Sequence, residues 1–382
     1  MPFNGRVLLV GPLAGSRWRS ISHYTATLAE ALRAAGVEVD TVAAPWFNPP
    51  SVARGLRARW WRQPLVQAAL RGEFAVVHLT DQALAHHVRR FRPHAPVVVT
   101  CHDLMAFEVP GYFHGRFEGA LKRAFLRRPF ASLKQADAVI AVSKYTAGAI
   151  ERRRAAPRER VHTIPNIVRP VFRPMPRDEA EAAVAAAGIV LPRSPRLLSV
   201  GHAGGYKNLE ALITALSLEG ARDANLIRVG GLQRHHYRLA RELGVRDRIV
   251  LRPGIDDGAL AALMNACDIL VQPSLAEGFG LPVAEAMACG LRVITSDGGA
   301  LPEVAGDGGA VFARDGTAGL RAAEHDAQAI ASLIPVARDD AELAARAVAR
   351  AAAFASASVV PQFIELYDQI CRERMARTGS AR

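Results

Sequence analysis

One stretch of this chain constrains its fold more than any other: Glu277-Gly278-Phe279-Gly280-Leu281-Pro282-Val283-Ala284-Glu285-Ala286-Met287-Ala288-Cys289-Gly290. It follows the apolar run Asp268–Gln272, which reads as a buried strand. Pro282 suits the first turn of a helix, where its missing N–H costs nothing, and Gly290 suits the residue just past the last turn. The segment is therefore strand, glycine loop, helix. Such a helix start offers backbone N–H groups to an anion. Glu277 precedes the helix and Glu285 lies in its first turns, so two carboxylates flank an anion site. Carboxylates repel phosphate, and their place is on hydroxyl groups beside it. A ligand with a phosphate and many hydroxyls is a nucleotide sugar.

The remainder of the chain alternates strand-like and helix-like patterns. Candidate strands of the first half are Val7–Val10, Val37–Val42, Ala75–Leu79, Val97–Thr100 and Ala138–Val142. Between the first two, Ile21, Leu28 and Leu32 recur at helical spacing, and Gly36 ends that helix. The proline-rich run Ile164–Arg177 reads as an extended linker. The alternation then restarts, with candidate strands Arg196–Val200, Asn225–Val229, Arg248–Leu251, Asp268–Gln272 and Arg292–Thr295. Strand–helix–strand repeats imply parallel sheets covered on both faces. The expected fold is α/β, two Rossmann-like doubly wound domains facing across a cleft. The expected boundaries are 1–168, 169–360 and a C-terminal helix, 361–382, that packs back on the first domain. A chain of 382 residues has room for this.

A second glycine turn, Ser199-Val200-Gly201-His202-Ala203-Gly204-Gly205-Tyr206-Lys207-Asn208-Leu209, also runs from a strand into a helical pattern. Lys207 is the sole lysine after residue 170. A cation at a helix start is locally unfavourable, which favours a functional reason for it. With the glycine loop, its ammonium is suited to hold a diphosphate and to offset charge on a departing phosphate.

The segment around Glu277 resembles the E-x7-E motif of the retaining glycosyltransferases of group 1, or family four, which have the GT-B fold. That motif reads E-G-F-G-L-P-x-x-E-A-M-A-x-G. The resemblance is specific in the second half of the chain and loose in the first. It implies Glu277 beside the transferred sugar, Glu285 on the ribose, and the amides of Gly280 and Leu281 on the phosphate. Gly201 and Lys207 match the family's V-G…K-N-L segment, with the lysine on the donor phosphates. Many members carry an arginine just after V-G, where this chain has His202. The loop opening at Arg252-Pro253-Gly254 matches the position that frames the base, and Asp297–Val304 resembles a loop that buttresses the site.

On the acceptor side, Thr100-Cys101-His102-Asp103 closes a candidate strand. His102 is expected to donate to a sugar or assist a proton, with Asp103 orienting it or the next loop. Gly15, in the turn after the first strand, is expected to approach donor or acceptor closely, and Ser20–Tyr24 to face the same crevice. The expected reaction is transfer of a mannose- or glucose-type sugar, with retention, from a GDP- or UDP-linked donor to a hydroxyl of a glycan or lipid-linked acceptor. A nucleotide-sugar epimerase, a phosphorylase, or a non-catalytic basic protein binding membrane or nucleic acid are the alternatives.

No D-x-D triplet occurs, so no metal is expected and no cofactor beyond the co-substrate. Four scattered cysteines indicate neither a zinc site nor a disulfide framework, and a reducing cytosol is the expected compartment. Arg6–Gly11 reads as a first strand rather than a signal peptide, and no apolar run approaches a spanning helix. Residues 1–170 hold 25 Lys+Arg against 11 Asp+Glu, whereas the rest hold 23 against 25. The basic half, with the helical pattern Phe117–Arg127 and the segment Arg54–Arg62, suggests peripheral contact with an anionic membrane face. No nucleic-acid motif accompanies the charge, so nucleic acid is not an expected partner.

Overall fold

The computed structural model describes residues 3–12, 19–44, 60–109, 127, 129–315 and 320–379. Gly15, the segment 54–59 and most of Phe117–Arg127 lie outside these residues. The chain divides into two compact units. Of the described residues, one holds those through Glu108, those from 127 to Ile167 and those from Ser356 onward, and the other holds Val109 and Val168–Ala355.

The first unit contains a six-stranded sheet. Its strands are β1 (Val7–Pro12), β2 (Val39–Ala44), β3 (Val76–Leu79), β4 (Val97–Cys101), β5 (Ala138–Ala141) and β6 (Val161–Thr163). They lie in the order β2-β1-β3-β4-β5-β6 and every neighbouring pair is parallel. The inner strands are buried along their whole length, as a sheet covered on both faces requires. The helix Arg19–Ala34 places Leu28 and Leu32 in the core.

The last helix, Ser356–Gly379, completes this unit. Val359, Val360, Phe363, Leu366, Tyr367 and Ile370 are all buried in one cluster with Val7, Leu9, Val76 and Val98. Tyr367 Oη bonds His78 Nδ1 at 2.7 Å, and His78 Nε2 bonds Thr100 Oγ1 at 2.7 Å. Burial holds the His78 ring down to about 3, so it is a neutral link between helix and sheet. Pro361 sits inside the helix rather than at its start, as the sequence had suggested. Proline lacks an N–H, so the helix forfeits one intrahelical bond there, and the apolar side chains on either side hold it in place.

The second unit repeats the plan with β7 (Arg196–Val200), β8 (Asn225–Val229), β9 (Ile249–Leu251), β10 (Ile269–Gln272), β11 (Arg292–Ser296) and β12 (Ala310–Phe312). Read across the sheet the order is β9-β8-β7-β10-β11-β12, again wholly parallel. This is the dinucleotide-fold order, which reverses direction between β7 and β10. β6 and β12 were not legible in the sequence. Each has three residues at a sheet edge and lacks a continuous apolar run.

By length and composition, the helical run Leu343–Arg377 is apolar enough to cross a membrane, contrary to the sequence expectation. Its apolarity has another cause, because the buried residues named above from Val359 to Ile370 build the first unit's core. Trp60, from the basic and aromatic segment, has a similar fate. It is buried against His87 and Phe91, and Arg90 stacks on Trp61 at 4.0 Å. These rings serve packing.

Candidate donor site

In an open parallel sheet, ligands bind outside the carboxyl ends of strands at the point where strand order reverses. In the second unit that point lies between β7 and β10. Gly201 follows β7, and Ser274 to Glu277 follow β10. The two glycine loops singled out by sequence therefore meet at the switch point.

Their meeting is direct. Lys207 Nζ donates to Glu277 Oε1 at 2.6 Å, with only 10% and 12% of the two side chains exposed. Gln272 Nε2 and Ser274 Oγ donate to the same oxygen at 2.8 and 2.7 Å. Three donors thus fix one carboxylate oxygen. Ala300 N donates to the Glu277 carbonyl at 3.0 Å, and Ser296 Oγ to that of Ser274 at 2.5 Å. The 297–300 loop and β11 therefore support the Glu277 turn from behind.

The helix Leu281–Ala288 starts at Gly280, whose φ of 100° is left-handed. Pro282 has no N–H, and the amides of Gly280 and Leu281 have no acceptor among the described residues. The anion-facing amides expected from sequence are thus available. The helix Leu209–Ala215 begins after Lys207, which closes a short 3-10 turn, Gly205–Lys207, and reaches its ammonium toward Gly201.

Glu285 is buried on the Leu281–Ala288 helix. Its Oε1 lies 3.4 Å from Arg169 Nη2, and Arg169 also grips Asp257. Burial pushes the Glu285 carboxyl up to about 7 and outweighs the pull of Arg169. Arg169 was missed in the sequence because it sits in the proline-rich run read as a linker. Gln272 and Ser274 were missed too, although polar residues ending an apolar strand are a usable signal. A lone charge inside an apolar strand, Arg228 of Leu226-Ile227-Arg228-Val229, was another.

His202 fills the place where the family often has arginine. Its Nδ1 accepts from Gly204 N at 3.2 Å and its Nε2 meets Tyr206 Oη at 2.9 Å. Burial, helped by Lys207 and Arg228, lowers its pKa, so the ring is neutral at neutral pH. One cluster of metal-type ligand atoms exists among the described residues, on Glu210, His235 and His236. His236 Nδ1 accepts from Gln233 N at 3.0 Å, which leaves the proton on Nε2, 3.3 Å from Glu210. The ring is thereby committed to capping its helix.

In the first unit, His102 Nε2 donates to the Thr80 carbonyl at 2.8 Å, and burial lowers the ring to about 4. The neutral ring keeps Nδ1 as an acceptor, so of the two roles expected of it this tautomer does not offer a donor to a sugar, while a part in moving a proton stays open to it. Asp103 Oδ1 accepts from Met105 N at 3.0 Å and so orders the following turn. Tyr24 Oη bonds Thr100 and Thr25 Oγ1 bonds Thr80, so these residues lock the first helix onto the sheet.

Two parallel six-stranded sheets flanked by helices, with a loop site at the second switch point, define an α/β protein of the GT-B class. The solved structure of HepE from Anabaena, crystallised with UDP and glucose, superposes with a TM-score of 0.71 at 19% identity, covering 96% of this chain and 100% of that one. The family model for glycosyl transferases group 1 matches residues 190–354, and that for glycosyltransferase family 4 matches residues 21–172. The O-antigen chain mannosyltransferase B of Escherichia coli is 30% identical over 327 residues, 80% of this chain and 81% of that protein. The serotype-specific mannosyltransferase WbdA of Escherichia coli is 31% identical over 72% of this chain, which spans only 33% of WbdA. The chain belongs to the group 1 glycosyltransferases.

Proposed function

We propose that this chain transfers a hexose from a nucleotide-sugar donor to a hydroxyl of a glycan or lipid-linked acceptor, with retention and without a metal. One observation carries this: the Lys207–Glu277 pair closes the switch point between two glycine loops, beside the open amides of Gly280 and Leu281. The second unit is the donor-binding domain and the first the acceptor-side domain. Lys207 and the amides face the diphosphate, and Glu285 takes the ribose hydroxyls. Glu277 holds the sugar through the oxygen that Lys207 does not use. In the reaction the bond from the anomeric carbon to the phosphate oxygen breaks, and the acceptor oxygen bonds the same carbon from the same face. The acceptor proton passes to the departing phosphate. Negative charge grows on that phosphate, where a preorganised ammonium and amides stabilise it most. His102 contributes an acceptor nitrogen on the first unit. The names of the mannosyltransferase relatives support a mannose-type sugar, which we take as GDP-linked; a UDP-linked glucose-type donor, as in the HepE complex with UDP-glucose, is the second choice. An acceptor at the cytoplasmic membrane face fits the basic first half.

A mass-spectrometric screen of sugar nucleotides against glycan and lipid acceptors tests this. The expected result is a glycosylated acceptor with release of nucleoside diphosphate. Donor isomerised without acceptor would indicate an epimerase, a requirement for free phosphate would indicate a phosphorylase, and salt-sensitive binding without turnover would indicate a binding protein.

The Glu285 carboxyl gives a pH signature. Its neutral form is favoured in the folded protein, so its contribution to stability is full below the ordinary carboxylate value and is lost as pH rises through about 7. Ribose hydroxyls donate to the ionised form. Donor affinity is therefore expected to rise roughly ten-fold between pH 6 and pH 8, with proton release on binding. Titration calorimetry of GDP-mannose and UDP-glucose in buffers of different ionisation enthalpy reads both quantities. Glu285→Gln should weaken binding and flatten the pH dependence. An unchanged slope in that variant would remove Glu285 from the site.

A further inference from the structure

Arg228 carries a charge for which the described residues of the second unit supply no counter-charge. It stands on β8 opposite Ser199 and Leu251, and only 1% of it is exposed. Its Nη1 donates to Ser199 Oγ at 3.2 Å, and its Nη2 to the carbonyls of Gly201 and His202 at 2.5 and 3.0 Å. Its Nε is buried without a partner. Burial pulls the guanidinium down, to about 10, and no carboxylate among the described residues offsets it. It therefore stays charged at neutral pH. An unpaired buried cation is costly, and an arriving anion relieves that cost.

The geometry shows where such an anion is felt. A trans peptide points its N–H away from its C=O. With the Gly201 and His202 carbonyls on Arg228, the amides of His202 and Ala203 face the other side of the loop. Neither has an acceptor among the described residues. Lys207 borders the same loop, its Cε and Nζ lying 3.5 Å from where a Cβ on Gly201 would stand. Glu277 already matches Lys207, and His202 is neutral. The surplus positive charge around the loop thus comes from Arg228. Gly230 makes the arrangement possible. A Cβ there would lie 2.0 Å from the Gly201 oxygen, so a side chain would push that carbonyl off the guanidinium.

We propose, on the basis of the donor site argued above, that Arg228 is a positioning residue for the donor diphosphate: from beneath the loop it polarises the His202 and Ala203 amides and supplies the positive charge that no exposed residue on the loop provides. It does not touch the ligand.

The test titrates uridine, UMP, UDP, guanosine, GMP and GDP against the full chain and its variants. Arg228→Met keeps the bulk and removes the charge. The preference for diphosphate over nucleoside should fall roughly 10- to 100-fold in this variant, as expected for losing hydrogen bonds polarised by a charge, with nucleoside affinity unchanged. Arg228→Lys should retain part of the preference. Adding His202→Arg to Arg228→Met should restore it, which a purely structural role does not predict. An unchanged preference in Arg228→Met, or nucleoside affinity lost in step with diphosphate affinity, overturns this role alone. If Arg228→Met does not fold, an unchanged preference in Arg228→Lys together with no gain in His202→Arg overturns it. A wild-type protein that does not prefer diphosphate over nucleoside overturns the donor site itself and this role with it.

Discussion

Lys207→Ala should lower kcat/KM for sugar transfer about a hundred- to a thousand-fold, the scale seen when a preorganised group facing developing charge is removed. The structure adds a complication to this experiment. Lys207 is also the partner of a largely buried carboxylate. Removing one member of such a pair leaves the other uncompensated, which costs about 3–5 kcal/mol in buried cases. Gln272 and Ser274 still donate to Glu277 Oε1, so the loss should fall at the lower end. The two effects separate in a double variant. Lys207→Ala with Glu277→Gln should regain most of the lost thermal stability and none of the activity. Initial rates and thermal unfolding on the same samples check this. Activity recovered along with stability would mean that Lys207 acts only by holding Glu277.

Ending the chain at Ala355 should unfold the first unit. That truncation removes Val359, Val360, Phe363, Leu366, Tyr367 and Ile370, each 4% exposed or less. Burial of one such side chain is worth about 1.5–3 kcal/mol. Their sum matches the whole stability of an ordinary domain, about 5–15 kcal/mol. Hydrogen exchange should show lost protection in β1, β3 and β4, with β7, β10 and β11 still protected. Protected β1 amides in the truncated chain would refute the requirement. The single substitution Tyr367→Phe is a milder probe. It leaves His78 Nδ1 without its partner in a buried setting and should cost about 1–3 kcal/mol.

Most of this architecture was legible from apolar runs and glycine turns. All ten expected strands exist; eight are inner strands, which must be apolar on both faces and so announce themselves, and the edge strands β2 and β9 carried enough apolar residues to be read as well. The two missed strands are edges whose pairing is decided by the neighbour. The donor loops were legible because proline and glycine mark a helix start with little ambiguity. Their partners were not. Arg169 reaches Glu285 across 116 positions of sequence, and no local pattern announces such a contact. His102 shows a different limit. The residue type suggested a hydrogen-bond donor, but the nearby Thr80 carbonyl takes its proton and leaves only an acceptor.

The bond between His78 and Tyr367 spans 289 residues. Translation runs from the amino end, so the lobe whose strands leave the ribosome first is the one that finishes last. Val168–Ala355 emerges complete while β1 to β6 still lack their final helix. In the living cell those early strands must wait, partly uncovered, for most of the chain to be made. This is the interval in which a chaperone would find its grip.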